Sequence, residues 1–261
     1  MASKTPQKTR AWYPKYGPHQ FDAVRASDGT YTIGGVRNFV YRRDGSGTES
    51  WLTGVPVNTN DVVRTWYLLE PFTRFAAIAH PYFVFEMQDG SVLCFTIEGK
   101  RLSGEPYSAL RGMLSAYELG YIWTTGLDCI TMPLTRGALA LYAYPLTLTP
   151  HESKETLRAL LDGTHGLHET PEFYHTILNN CTIRFAHTIR AERIRPLPFD
   201  LSWYLPGWSD RYFMRTGLIA PTGDYREARR AHDLVRQAET VWGHIESRGE
   251  RAIVDILKSA N

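Results

Sequence analysis

AIAHPYFVFEMQDGSVLCFTIE, residues 77–98, decides the fold. Two runs rich in β-branched and aromatic residues flank a short polar break, QDG. Asp-Gly tolerates the positive φ angles of a tight hairpin turn. The stretch therefore predicts an antiparallel hairpin with strands over 77–87 and 91–98, turning at Asp89-Gly90. Counting back from that turn, the residue opposite His80 is Glu98 or a neighbour one or two places away. Directly opposed residues share a face and lie about 5 Å apart at Cβ. A carboxylate beside an imidazole fixes its tautomer and favours its protonated form. His80 and Glu98 thus read as a base and its orienting carboxylate, or else as two groups capping an exposed hairpin end.

Upstream, residues 1–29 are rich in Pro, Lys and Gly and read as an extended lead-in. YTIGGVRNFVYRR, from Tyr31, is strand-like, DGSGTESW (44–51) reads as a loop, and VVRTWYLLEP (62–71) reads as a strand. Downstream, GEPYSALRGMLSAYELGYIW (104–123) predicts an amphipathic helix at its start, with Leu110, Met113, Leu114 and Tyr117 on one stripe. LDCITMPL (127–134) and ALALYAYPLTL (138–148) read as two further strands. A helix is expected after Thr149-Pro150, with Glu152 completing a capping box, and is expected to stop near Asp162-Gly163.

A polar loop, THGLHETPEF, follows, and Pro196, Pro198 and Pro206 punctuate a Trp-rich segment around WYLPGWSDRYF (203–213). From Asp224 the chain reads as helical, with Leu234, Ala238, Val241, Trp242 and Ile245 on an apolar stripe. Strands, a helix, strands, then helices argue for an α+β fold, an antiparallel sheet packed against helices. The expected division is a lead-in (1–29), one domain (30–223) and a C-terminal helical extension (224–261).

With 261 residues and 43% hydrophobic content the chain can bury a real core. A net charge of +2, without a basic stripe, argues against nucleic-acid binding. No apolar run approaches the roughly 20 residues that cross a bilayer. The absence of GxGxxG and P-loop motifs removes dinucleotide and nucleoside-triphosphate chemistry, and the absence of GxSxG leaves nothing to favour a serine hydrolase. No cofactor is expected.

The three cysteines make neither a disulfide framework nor a zinc pattern. Cys94 and Cys129 lie in apolar runs, where a thiol is a small hydrophobe. Cys181 differs, because Asn180 is a good N-cap and TIRFAHTIRAERI behind it can continue a helix. A thiol at the first helical position meets unpaired N–H groups and the positive end of the helix dipole, which stabilise a thiolate and can hold an oxyanion. An inert buried cysteine is the competing reading. His165, His168, Glu169, Glu172 and His175 cluster in sequence but lack zinc-ligand spacing, so no metal is expected. His187 lies well around the helix from Cys181.

VRNFVYR (36–42), IAHPYFVF (78–85), TIEGKR (96–101), YELGYI (117–122), PEFYHTILNNCT (171–182) and LPGWSD (205–210) occur in the order seen in the Lnb N-terminal periplasmic domain family, a bacterial family that the chain resembles from about Tyr31 to about Tyr225. Members resemble permuted papain-like thiol enzymes, in which the His strand precedes the Cys helix, as in lecithin:retinol acyltransferases and permuted NlpC-type hydrolases. The resemblance implies a nucleophile at Cys181, a base at His80 and a polar partner, for which Glu98 is our choice. Glu118 and Asn180 are alternatives for that third place, and Trp203, Trp208, Tyr117 and Glu118 are candidate substrate-lining residues. The Lnb branch implies fatty-acyl transfer from a phospholipid to a lipoprotein amine through a thioester.

The expected partners are accordingly a phospholipid and a lipoprotein or peptide substrate at a membrane surface. The place expected is the periplasmic side of a bacterial inner membrane if an anchor accompanies the domain, and the cytoplasm otherwise. A cell-wall peptidase or amidase of NlpC type and a non-catalytic binding domain are the competing readings. The chain departs from the family at Pro81, Val84 and His175, where Thr, Ser and Asn are usual; these positions bear on specificity.

Overall fold

The computed structural model describes residues 11–17, 21–72, 78–105, 117–175, 183–185, 188, 198–220 and 223–259. Its centre is the expected hairpin. Strand β7 (Ala79–Met87) pairs antiparallel with β8 (Val92–Lys100), Tyr82 opposite Thr96 and Glu86 opposite Val92. Gly90 turns the chain with φ of 81°, a conformation glycine adopts without steric cost. On one side β7 pairs with β6 (Val62–Pro71), and beyond it lies β10 (Tyr142–Pro145). On the other, β8 pairs with β9 (Tyr117–Thr125), followed by β3 (Val36–Tyr41) and β4 (Gly47–Leu52). The sheet order is β10-β6-β7-β8-β9-β3-β4, with β11 (Phe173–Tyr174) beside the start of β9. Because β3 and β9 run parallel, the sheet is mixed. A smaller sheet joins β1 (Ala23–Arg25), β2 (Tyr31–Ile33) and β5 (Val55–Val57).

Both faces of the main sheet are covered, and this explains why its inner strands read as near-continuous apolar runs. One face presents Tyr67, Phe83, Phe95 and Trp123 to Leu157, Leu160 and Leu161 of a long helix and to Phe185. The other presents Trp66, Val84 and Cys94 to Cys129 and Ile130 and to the C-terminal residues Leu234, Val241, Ile253 and Ile256. Helices α4 (Tyr225–Ala231), α5 (Ala238–Arg248) and α6 (Ile253–Ser259) form the C-terminal segment, whose apolar stripe thus packs on the sheet. Helix α3 (Ser209–Arg215) precedes them.

Four sequence expectations are corrected. LDCITMPL is not a strand but lies in helix α1 (Gly126–Thr135). A short apolar run does not by itself distinguish strand from buried helix. Here the Thr125 side chain caps Asp128 N–H, while Glu250 accepts from the N–H groups of Gly126 and Leu127. The segment 104–123, expected to begin as a helix with Tyr117 on its stripe, has Tyr117 as the first residue of strand β9; residues 106–116 lie outside the described residues. DGSGTESW is not all loop: β4 is a polar outer strand whose side chains mostly face solvent, so its composition mimics a turn.

The fourth correction concerns helix α2 (Pro150–Glu169), which starts where expected but runs past Gly163. That glycine is a packing device, since a Cβ there would sit 3.1 Å from the Tyr121 ring. The capping box is present, with Thr149 Oγ1 accepting from Glu152 N–H at 3.2 Å and Glu152 accepting from Thr149 N–H at 2.7 Å. Thr149→Ala is expected to cost about 1 kcal/mol by chemical denaturation. No loss would mean that tertiary packing alone holds this helix end.

Candidate functional site

Strand alternation builds the site. In the β6–β7 register Glu70 is opposite His80, and the β7–β8 register continued by two residues places Glu98 opposite His80 on its other side. Opposed residues share a face, so Glu70, His80 and Glu98 form one row at the end of the sheet where β7 begins. His80 Nε2 lies 3.8 Å from Glu98 Oε1. It lies closer, at 2.7 Å, to the hydroxyl of Thr96, two residues before Glu98 on the same face.

The tautomer is assigned from this network: with the Thr96 hydroxyl proton placed on the Pro81 carbonyl at 3.0 Å, the oxygen accepts from His80, and Nε2, the ring nitrogen that also faces Glu98, carries the hydrogen. In a neutral ring this leaves Nδ1 with the basic lone pair. No hydrogen bond among the described residues reaches Nδ1. The ring is 11% exposed, flanked by Phe72 and Tyr82.

Three cations and one further carboxylate surround this row. Lys15, from the N-terminal lead-in, donates to Glu98 Oε2 at 2.5 Å. Arg37 of β3 forks onto Asp128 of α1, with Nε–Oδ2 at 2.9 Å and Nη2–Oδ1 at 2.8 Å, and donates from Nη1 to the Lys15 carbonyl at 3.1 Å. Arg37 Nη1 also lies 3.7 Å from Glu98 Oε1. Arg136, at the end of α1, grips Glu70 through two hydrogen bonds, and Tyr82 donates to the same carboxylate at 3.3 Å. The lead-in is held by backbone bonds from Tyr13 N–H to the Arg101 carbonyl and from Ser103 N–H to the Ala11 carbonyl.

The electrostatics follow from burial and these partners. Burial pushes the His80 pKa down to about 3; Glu98 opposes this, while Lys15, Arg136 and Arg37 add to it. His80 is therefore neutral at pH 7, against the expectation that its carboxylate neighbour would favour the charged form. For Glu98, burial acts upward, but Lys15, His80 and Arg37 outweigh it and hold the carboxyl at about 2. Burial also lowers the Lys15 pKa, with Glu98 opposing. The Lys15 contact is shorter than the histidine contact, so Glu98 serves the lysine first.

Of the expected residues, the structure brings His80 and Glu98 together. Asn180 and Cys181 lie outside the described residues, as does His187. Ile183 and Phe185 are buried just beyond, and Phe185 packs on Phe83 at 4.5 Å and Phe95 at 5.9 Å. Phe83 and His80 point to opposite faces of β7, so Phe185 covers the face opposite the imidazole. Glu118 is opposite Lys100 rather than His80; burial lowers the Lys100 pKa to about 8, with Glu118 opposing.

Tyr117 and Trp203 are core residues, whereas Trp208 is 40% exposed. The histidine cluster disperses: His165 Nδ1 meets Asp22 at 2.8 Å, and Glu172 pairs with Arg184. Cys94 and Cys129 are buried free thiols; burial pushes Cys94 up, and the adjacent Cys129 adds to this. Sequence reading missed Lys15, Arg37, Glu70, Thr96, Asp128 and Arg136. Thr96 and Glu70 were within its reach, since both follow from hairpin and strand registers once His80 is placed.

An apolar cavity of about 710 Å³ lies at the far end of the hairpin, between Val36, Leu52, Val57, Met87 and Leu127. It is separated from His80 by most of β7, about 25 Å, so it is not part of this site. Among the described residues no helix is long and apolar enough to cross a membrane. A sequence model of the Lnb N-terminal periplasmic domain matches residues 48–227, and the chain belongs to that family. No curated protein and no solved structure shows significant similarity to it.

Proposed function

We propose that this member of the Lnb N-terminal periplasmic domain family is a thiol enzyme that acts on an acyl or amide bond of a lipid or lipopeptide through a thioester on Cys181. The fold is then a permuted papain-like arrangement, its His strand ahead of its Cys helix, working at the periplasmic face of a bacterial inner membrane. The observation that carries the reading is the placement of the His80 ring, its Nε2 2.7 Å from Thr96 Oγ1 and its Nδ1 reached by no hydrogen bond among the described residues. Burial keeps the ring deprotonated, the state a base must start from, but its pKa of about 3 lies far below the operating pH, so the reading rests on position and not on base strength.

In this scheme the Cys181 proton passes to Nδ1 and the thiolate adds to the carbonyl carbon. Backbone N–H at the helix start that the sequence predicts after Asn180 receives the oxyanion. Collapse breaks the C–O or C–N bond, and the leaving group takes the proton from Nδ1. An amine or water then gives its proton to Nδ1, attacks the thioester and frees the thiol. Glu98 offsets the charge of the transient imidazolium. Because Phe185 packs on the opposite face, the scheme requires Cys181 to meet the ring around the start of β7, where His80 is the second residue.

The test is intact mass after incubation with bacterial phospholipid, beside Cys181→Ala and His80→Ala. A fatty-acyl increment on the wild-type chain, lost in Cys181→Ala, is the expected result. No increment together with a Cys181 inert to alkylation leaves a non-catalytic binding domain. No increment with a reactive Cys181 favours a peptide substrate, as in a cell-wall peptidase or amidase.

A further inference from the structure

A second concavity, about 510 Å³, opens beside the outer strand β10 and is walled by Arg226, Arg229, Arg230, Arg236, Tyr142 and Asp233. Three of the arginines come from one short helix, YREARRA, where positions 226, 229 and 230 are three and four residues apart and share a face. Their roles differ. Arg229 is structural: its guanidinium binds Asp210 at 2.8 Å and the Gly207 carbonyl at 2.7 Å, lying over the rings of Tyr142 and Tyr225. Arg236 stands 3.7 Å from Asp233, whose carboxylate is also held by the N–H groups of Leu141 and Val235.

For Arg226 and Arg230, no ion pair or side-chain hydrogen bond exists among the described residues. Two exposed guanidinium groups thus face the same concavity unpaired, the carboxylate among its lining residues, Asp233, standing by Arg236. Helix stability does not account for them. Cations favour the last turn of a helix, which suits Arg229 and Arg230, but Arg226 lies in the first turn, where the dipole disfavours it. Like charges four residues apart also repel. What this arrangement fits is an anion, and the planar fork of arginine matches the oxygens of a phosphate better than a point charge does.

We propose that this concavity is a phosphate-binding site, in which Arg226 and Arg230 grip a phosphate mono- or diester, Arg236 closes the opposite wall and Arg229 with Tyr142 forms the fixed floor. The site stands on its own residues and does not depend on Cys181 chemistry. Its ligand is a phosphate group, carried either by a soluble ester or by a lipid headgroup.

Two binding measurements on the full chain test this: calorimetric titration with inorganic phosphate and glycerol 3-phosphate, and flotation with vesicles of equal parts phosphatidylglycerol and phosphatidylcholine. Each is repeated with Arg226→Gln/Arg230→Gln and with a control pair at the β3–β4 turn, Arg42→Gln/Arg43→Gln. The expected result is binding that weakens about tenfold or more in the first pair and persists in the second. Unchanged thermal midpoints would show that neither pair acts through folding. Loss of soluble-ester binding identifies a soluble ligand; loss confined to vesicles identifies a lipid headgroup. No binding in either assay, or equal binding by both double variants, overturns the proposal.

Discussion

Replacing Arg37 by leucine is expected to cost the fold about 3–5 kcal/mol, the range seen when one member of a buried ion pair is removed. Arg37 is 1% exposed and Asp128 0%. The guanidinium satisfies both oxygens of Asp128, and its Nη1 holds the Lys15 carbonyl. It thereby ties β3, the start of α1 and the lead-in to one point. Leucine removes the cation and leaves a buried carboxylate with only the Phe39 N–H to hold it. The double variant Arg37→Leu/Asp128→Leu removes both charges and is expected to recover much of the loss, since no unpaired charge remains. Denaturant midpoints of wild type, single and double variants give the answer. If the double variant is worse than the single, the cost is shape rather than unpaired charge, and the electrostatic account fails.

The hairpin was legible because its signals are local and agree: β-rich runs, an Asp-Gly turn, and a count that placed Glu98 opposite His80. The Thr149 capping box was legible for the same reason. The errors have a common cause in tertiary context. Residues 127–134 carry an apolar run that suits a strand, but Glu250, distant in sequence, caps the backbone of Gly126 and Leu127 and fixes a helix. Gly163 reads as a helix stop until the Tyr121 ring beside it is seen. Strand β4 reads as a loop because an outer strand facing water needs no apolar residues.

The candidate site divides along the same line. His80 and Glu98 follow from register, but the burial that keeps His80 neutral and the cations at 15, 37 and 136 that add to it follow from no local pattern. Reading the hairpin alone gives a histidine next to one carboxylate, and hence a raised pKa. Burial reverses the sign, and Lys15, Arg136 and Arg37 add to it by opposing a further proton. A pairwise motif therefore predicts position well and protonation poorly.

His80→Gln should flatten the acid side of the stability curve. Folded, the imidazole has a pKa of about 3; unfolded, it returns to the ordinary value of 6.5. Between those limits the unfolded chain binds a proton that the folded chain refuses. The His80 contribution is thus complete above pH 6.5 and is lost as pH falls toward 3, by about 2 kcal/mol at pH 5. Glu98 acts in the same direction but lower, its contribution lost between 4.5 and about 2. From pH 7 to 5, then, the difference between wild type and His80→Gln isolates the histidine, because other titrating groups cancel.

Lys15→Met, which removes one cation facing the ring, should raise the His80 pKa and shrink that loss. Equal slopes for wild type and His80→Gln would refute a neutral buried imidazole. Alkylation of Cys181 by iodoacetamide at mildly acidic pH supplies a separate readout. If Nδ1 is its base, the rate should fall by about a hundredfold in His80→Gln, the low end of what a positioned base contributes. Cys94 and Cys129 stay protected by burial. A flattened stability curve with unchanged alkylation would keep the electrostatics and remove His80 from the chemistry. Loss of both effects together would tie the protonation state set by burial, with Lys15, Arg136 and Arg37 adding to it, to the reactivity of the thiol.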